Sequence, residues 1–198
     1  MAEEIDVSGI ENHVKKWLKE ALEAGRTVCE LNGASPPFSP ELSRLISGRL
    51  RTEADQAALI AEMDKHRAIT AKAGERFQAA CTFFLIALNK AARWADKWKK
   101  VVPEHAGIAD GYLSKYKPNK DLRDILEHDD EYLTGGGWHP EKLVQTTMGG
   151  AMRVDAFSTL TIDGQIFIGG TLSVQGMMQA AAEFEAALVA LRRPADPY

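Results

Sequence analysis

Phe77-Gln78-Ala79-Ala80-Cys81-Thr82-Phe83-Phe84-Leu85-Ile86-Ala87-Leu88 is the stretch on which the fold turns. Phe77, Cys81, Phe84, Leu85 and Leu88 recur every three or four residues, and Ala92 and Ala95 carry the same stripe onward. A period near 3.6 lines such residues up on one face of an α-helix and on no face of a strand. Residues 83–88 are apolar nearly all round, which places this part of the helix at the centre of a bundle. The apolar run from Ala79 to Leu88, interrupted by Thr82, is shorter than the roughly 20 residues a bilayer crossing needs, so no membrane span is expected.

Outward from this centre the helical pattern runs from Thr52 to about Val102, with a weaker early stripe at Ala57, Ile60, Met63 and Ala68. Gly74 marks a kink or the join of two helices. Upstream, Ile10, Val14, Trp17, Leu18, Ala21 and Leu22 predict a first helix over about 8–25, capped by Ser8 and ending near Gly25. Three prolines between Gly33 and Pro40 exclude regular structure there, and a short helix starts near Pro40, where a proline suits the first turn. Downstream, residues 103–118 read as a loop anchored by Tyr112 and Tyr116. A helix over Lys120–Leu133 is stopped by Gly135-Gly136-Gly137, and 135–155 reads as irregular.

The ending differs in kind. Residues 156–169 alternate on both sides of Asp163-Gly164, two residues that tolerate positive φ, and this predicts a tight β-hairpin. A last helix over about 174–191 turns Met177, Met178, Ala181, Phe184, Leu188 and Leu191 to the core. The fold class is therefore mainly α: one domain over 1–198, a helical bundle with a C-terminal β-hairpin and a packing helix.

With 45% apolar and 26% charged residues in 198, the chain has the composition of an ordinary globular domain. A net charge of −4 excludes whole-surface attraction to nucleic acid or anionic lipid and leaves room for a local basic patch. One such patch is Lys90, Arg93, Lys97, Lys99 and Lys100, with Trp94 and Trp98 between. It reads either as an RNA-binding face with stacking rings, carried by Lys90, Arg93 and Lys97, or as basic residues that complement a helix C-terminus while the tryptophans pack inward. Cys29 and Cys81 lack metal-type or redox spacing and read as reduced, buried thiols. The acidic, non-apolar N-terminus argues against a signal peptide, so a cytoplasmic location is expected. His105, His128, His139 and the acids near them form no ExxH or HExxH set, Glu62 and His66 being only an i,i+4 pair. The glycine clusters lack a P-loop lysine. No metal and no cofactor are expected.

The segment Asp121-Leu122-Arg123-Asp124-Ile125-Leu126-Glu127-His128-Asp129-Asp130-Glu131-Tyr132 is dense in ionisable groups. On a helix, Leu122, Ile125, Leu126, Tyr132 and Leu133 form its apolar face, Arg123 and His128 flank that face, and Asp129 falls within it. Arg123 and His128, separated by four residues with polar Asp124 after the arginine, resemble the Arg-x(4–6)-His motif of HEPN domains, bundles of four or five helices. That resemblance implies a metal-independent endoribonuclease acting as a homodimer with two facing motifs, or a degenerate relative. Arg123, His128 and Asp124 are the implied catalytic residues. Histidine suits proton transfer near neutrality, arginine's forked donors suit a phosphate, and Asp124 would orient either. The acidic run Asp129-Asp130-Glu131 and the C-terminal hairpin depart from the family pattern. Arg123 and Glu127 also read simply as an i,i+4 ion pair on a solvated face. The alternative function is a non-enzymatic helical interaction protein with a protein partner, such as an antitoxin, immunity or accessory component. The apolar content of 83–88 and of Met177/Met178 likewise points to a homodimer.

Overall fold

The structure, a computed structural model, describes residues 6–33, 36–48, 52–117, 120, 122, 144–147, 152–155 and 158–191. Its helices are α1 (Val7–Leu31), α2 (Pro40–Ser47), α3 (Glu53–Val101), α4 (Ala106–Tyr116) and α5 (Val174–Ala190), with a 3-10 turn at Pro103–His105. Its strands are β1 (Val144–Thr147), β2 (Met152–Asp155), β3 (Thr159–Ile162), β4 (Gln165–Ile168) and β5 (Leu172–Ser173). The protein is thus mainly helical, with a small three-stranded antiparallel sheet near the C-terminus and a separate β1–β2 pair. Two compact units divide the chain: Met1–Cys29 with Ala80–Tyr198, and Glu30–Ala79. Among the described residues, no helix is long and apolar enough to cross a membrane.

The first unit holds most of the buried side chains. Phe84, Leu85, Leu88, Ala92 and Ala95 of α3 are buried, as the stripe predicts. Val14, Leu18 and Ala21 of α1 are fully covered. Phe184 of α5 meets Trp98 edge-on at 6.1 Å and Tyr112 face-on at 5.6 Å, so three helices share one aromatic contact. Leu85, Leu88 and Met177, which read as surplus apolar surface, are consumed inside the chain, while Phe83 is 45% exposed. Leu191, expected in the core, is 41% exposed, one residue beyond the end of α5.

Helix α1 does not stop at Gly25. It runs on to Leu31 and ends at Asn32-Gly33, where Gly33 takes φ +77°. Its start is capped by Asp6 rather than Ser8: the Gly9 N–H donates to the Asp6 carboxylate at 2.8 Å. Gly25 serves packing instead. A Cβ there would lie 2.6 Å from the Met178 side chain and 3.1 Å from Phe84 Cε2. Gly74 likewise does not divide α3, which is continuous over 49 residues. A lone glycine costs about 1 kcal/mol in a helix, and many neighbours outweigh it.

Of the stretch 103–118 read as a loop, the described residues 103–117 are largely helical. Tyr112 and Tyr116 are buried as expected, but on a helix, α4, where i,i+4 spacing puts both rings on one face. The Tyr112 hydroxyl donates to the Leu88 carbonyl at 3.1 Å. The stretch 135–155 is not wholly irregular either: Val144 pairs with Asp155 and Thr147 with Met152.

The C-terminal hairpin forms where it is expected. Ile162 pairs with Gln165, and Asp163 (φ +50°) and Gly164 (φ +76°) make the two-residue turn. Ile166 and Ile168 are buried on one face, and β5 adds a third strand to β4. Gln175 of α5 fastens the turn, donating to the Gly164 carbonyl at 3.2 Å and accepting from the Ile166 N–H at 2.9 Å. Ser173 caps α5 by accepting the Gly176 N–H at 3.0 Å.

In the second unit Ser39 caps α2, and Pro40 opens it as expected. The Ser39 hydroxyl donates to Glu62 at 2.9 Å, and Phe38 meets His66 edge-on at 4.7 Å. The early stripe Ala57, Ile60, Met63 and Ala68 is exposed rather than buried. The partly covered side of this half of α3 carries Leu59, Glu62, His66, Ala73 and Phe77 instead.

Cys81 supplies a pH test of the core. The thiol is 1% exposed, and burial pushes it from 9.0 up to about 11, only partly offset by a hydrogen bond with Thr159. The fold therefore holds the neutral thiol, and its contribution is complete below pH 9 and lost as pH rises towards 11. Burial raises Tyr112 as well and works in the same direction. Urea midpoints should fall between neutral pH and 11, less so in Cys81→Ala. An equal fall in that variant would remove Cys81 as a cause.

Candidate functional site

Arg93, Lys97 and Lys100 lie at i, i+4 and i+7 on α3, so they project from one face of the helix. The α4 helix returns beside that face, tied by the Tyr112–Leu88 hydrogen bond and by an ion pair between Lys99 and Asp110. Between the two helices lies an open groove of about 820 Å3. Ala92, Leu113 and Tyr116 give it an apolar floor. Lys117, at the end of α4, and Lys120 complete the rim.

Among the described residues, five cations and two carboxylates line this groove: Arg93, Lys97, Lys100, Lys117 and Lys120 against Asp96 and Asp110. Both carboxylates are already engaged. Asp96 is 2.6 Å from Lys100, and Asp110 is held by Lys99. Arg93, Lys97, Lys117 and Lys120 make no ion pair among the described residues. On a chain of net charge −4, this is a local concentration of positive charge.

Trp94 is not an open stacking platform. The His13 ring lies parallel to it at 4.3 Å and 8°, and the Lys97 ammonium sits 4.2 Å from its centroid. A stacked ring and an ammonium cannot occupy one face at those distances, so both faces of the indole are taken. Trp98 is 2% exposed and packs on Phe184. The inward-packing reading therefore holds for Trp98, while on Trp94 a stacking base would have to displace His13 or Lys97. What the groove offers a ligand is charge, with the Lys97 ammonium held in place by a cation–π contact.

Of the residues read from sequence as RNA-binding, Arg93 and Lys97 line the groove, while Lys90 is exposed elsewhere on α3. Arg123, Asp124 and His128 lie outside the described residues, as do Glu127 and Asp129. Leu122, directly before Arg123 in sequence, is buried at 2% exposure. Lys120, three positions before Arg123, is on the groove rim. Lys117 and Lys120 do not stand out in the sequence as site residues, although the run Lys115, Lys117, Lys120 is a visible signal. Among the described residues, no group of three or more His, Cys, Asp or Glu is placed to hold a metal ion.

Compared with protein-family models, curated proteins and solved structures, the chain matches none.

Proposed function

We propose that this chain is a HEPN-like, RNA-acting protein: the groove between α3 and α4 takes the phosphate backbone of single-stranded RNA, and Arg123 and His128 cleave it. The observation that carries this reading is the set Arg93, Lys97, Lys117 and Lys120, four cations without an ion pair among the described residues around one groove. Phosphates are the ligand that such a set suits, because each lysine or arginine releases a condensed counterion on contact. The flexible backbone of a single strand can enter a groove of this size, and no base needs to stack on Trp94.

In the cleavage step a base removes the proton of the 2′-hydroxyl, whose oxygen attacks the adjacent phosphorus. The 5′-oxygen leaves and takes up a proton, so the products end in a 2′,3′-cyclic phosphate and a 5′-hydroxyl. His128 is the proton-transferring group, Arg123 offsets the charge growing on the phosphate oxygens, and Asp124 orients one of them. Support for these roles is the spacing of the motif and its position just after Lys120 and the buried Leu122.

Binding is tested by fluorescence anisotropy with a labelled single-stranded RNA over a salt series. Affinity should fall as salt rises, with a slope of about −0.7 per phosphate contacted. Arg93→Glu combined with Lys97→Glu should weaken binding by about tenfold or more, ~1.4 kcal/mol, and flatten the slope. Lys72→Glu combined with Arg76→Glu, two exposed positions at the same spacing in the other unit, is the matched control and should change little. Equal loss in both variants would deny the groove a role.

A further inference from the structure

The Trp94 indole is held between two basic side chains that come from two helices. His13 of α1 lies parallel to it at 4.3 Å and 8°, and the Lys97 ammonium of α3 stands 4.2 Å from its centroid. Trp94 is half-buried, while His13 and Lys97 are exposed, so water and ions reach both sides of the ring. The face of an aromatic ring is negative, and it holds an imidazolium more strongly than a neutral imidazole. The charged neighbours oppose that gain. Lys16 follows His13 by three positions on α1, and Lys90 precedes Trp94 by four on α3, so each lies beside the stack. Both are cations, as are Arg93 next to Trp94 and Lys97 across the indole. The nearby carboxylates are engaged elsewhere: Glu11 with Lys15 at 2.7 Å, Asp96 with Lys100 at 2.6 Å, and Asp6 with the Gly9 N–H at 2.8 Å. Glu20 lies two turns further along α1, about 10 Å along the axis.

We infer that His13 is a positioning residue of the groove that works by proton uptake: when phosphates settle on Lys97, His13 binds a proton, and the imidazolium fixes Trp94 and, through it, the Lys97 ammonium. A cation on each face of one ring, with further cations beside it, is opposed until an anion arrives. A phosphate at Lys97 offsets that opposition, and the ring then attracts the imidazolium unhindered. Proton and phosphate therefore bind better together than apart, and the coupling is reciprocal. Histidine is the side chain suited to such an exchange near neutral pH. The sign follows: binding tightens as pH falls through the histidine range and weakens as it rises, while a phosphodiester does not titrate there.

The inference rests on the groove's taking phosphates, so two probes separate the two readings: a single-stranded RNA, and inorganic polyphosphate, which carries the charge without sugar or base. Titration calorimetry in buffers of different ionisation enthalpy counts the protons taken up. For wild type, binding of polyphosphate should take up protons and be at least about fivefold tighter at pH 6 than at pH 8, the low end of typical coupling between sites. His13→Phe keeps a ring on the indole but cannot hold a proton. It should lose that uptake and most of the pH dependence, with helical circular dichroism unchanged. Trp94→Leu, which leaves both basic groups but removes the ring between them, should lose the coupling as well. Wild-type binding without proton uptake, or uptake unchanged in His13→Phe, would overturn the inference and leave the groove reading in place. His13-dependent uptake with polyphosphate but no binding of RNA would uphold it and count against RNA as the ligand. No binding of either probe would overturn both.

Discussion

Phe184→Ala should destabilise the protein by about 3–5 kcal/mol, the upper part of the range for a single core truncation. Phe184 is 2% exposed and is the ring that both Trp98 and Tyr112 touch. Truncation removes its own burial and leaves a cavity bounded by two aromatic side chains whose backbones are fixed on different helices. Collapse into the hole would require α3 and α4 to move together. Domains of this size are typically stable by about 5–15 kcal/mol, so the loss is a large part of the total. The urea midpoint should drop accordingly, and the groove should loosen with it, because Tyr112 also orients α4. Val189→Ala, on the same helix but 45% exposed, should stay within about 0.5 kcal/mol of wild type. If the two variants unfold alike, the aromatic cluster is not where the first unit's stability resides.

Much of this architecture is legible in residue order, and the elements that escape it do so for a common reason. The stripe from Phe77 to Ala95 and the Asp163-Gly164 turn are local patterns, and both form as their chemistry dictates. Gly25 and Gly74 read as punctuation because glycine often ends helices, but neither has positive φ. One lies under Met178, and the other sits open on a helix surface. Only tertiary packing distinguishes a glycine that stops a helix from one that lets a neighbour approach. The α4 helix is hidden for a related reason: Pro103, Gly107 and Gly111 weaken its local preference, while the burial of Tyr112 and Tyr116 holds it. The β1–β2 pair leaves a fainter trace, Val144, Thr146 and Thr147 before Gly149-Gly150, too short to outweigh the surrounding glycines.

The candidate site is half legible. Arg93 and Lys97 stand out as helix-face cations next to a tryptophan. That Lys117 and Lys120 join them depends on α4 turning back beside α3, which no periodicity reports. Nor does sequence reveal that Trp94 is covered on both faces, since His13 lies 81 positions away on α1. In the proposed RNA-binding role, that cover favours contacts to phosphates over contacts to bases.

His128→Ala should abolish metal-independent RNA cleavage while leaving RNA affinity near wild type, because the groove proposed to hold the backbone is lined by other residues. Arg123→Lys should also impair cleavage, since lysine keeps the charge but loses the forked donors that match a phosphate. The separation of binding from cleavage is the signature to look for: groove variants lose affinity, motif variants lose turnover. The most direct measurement is incubation of purified protein with a mixed single-stranded RNA in EDTA, wild type beside His128→Ala. Wild type should produce fragments ending in 2′,3′-cyclic phosphate, and His128→Ala none. Cleavage that persists in His128→Ala, cleavage that needs added metal, or intact RNA with wild type would contradict the proposed chemistry.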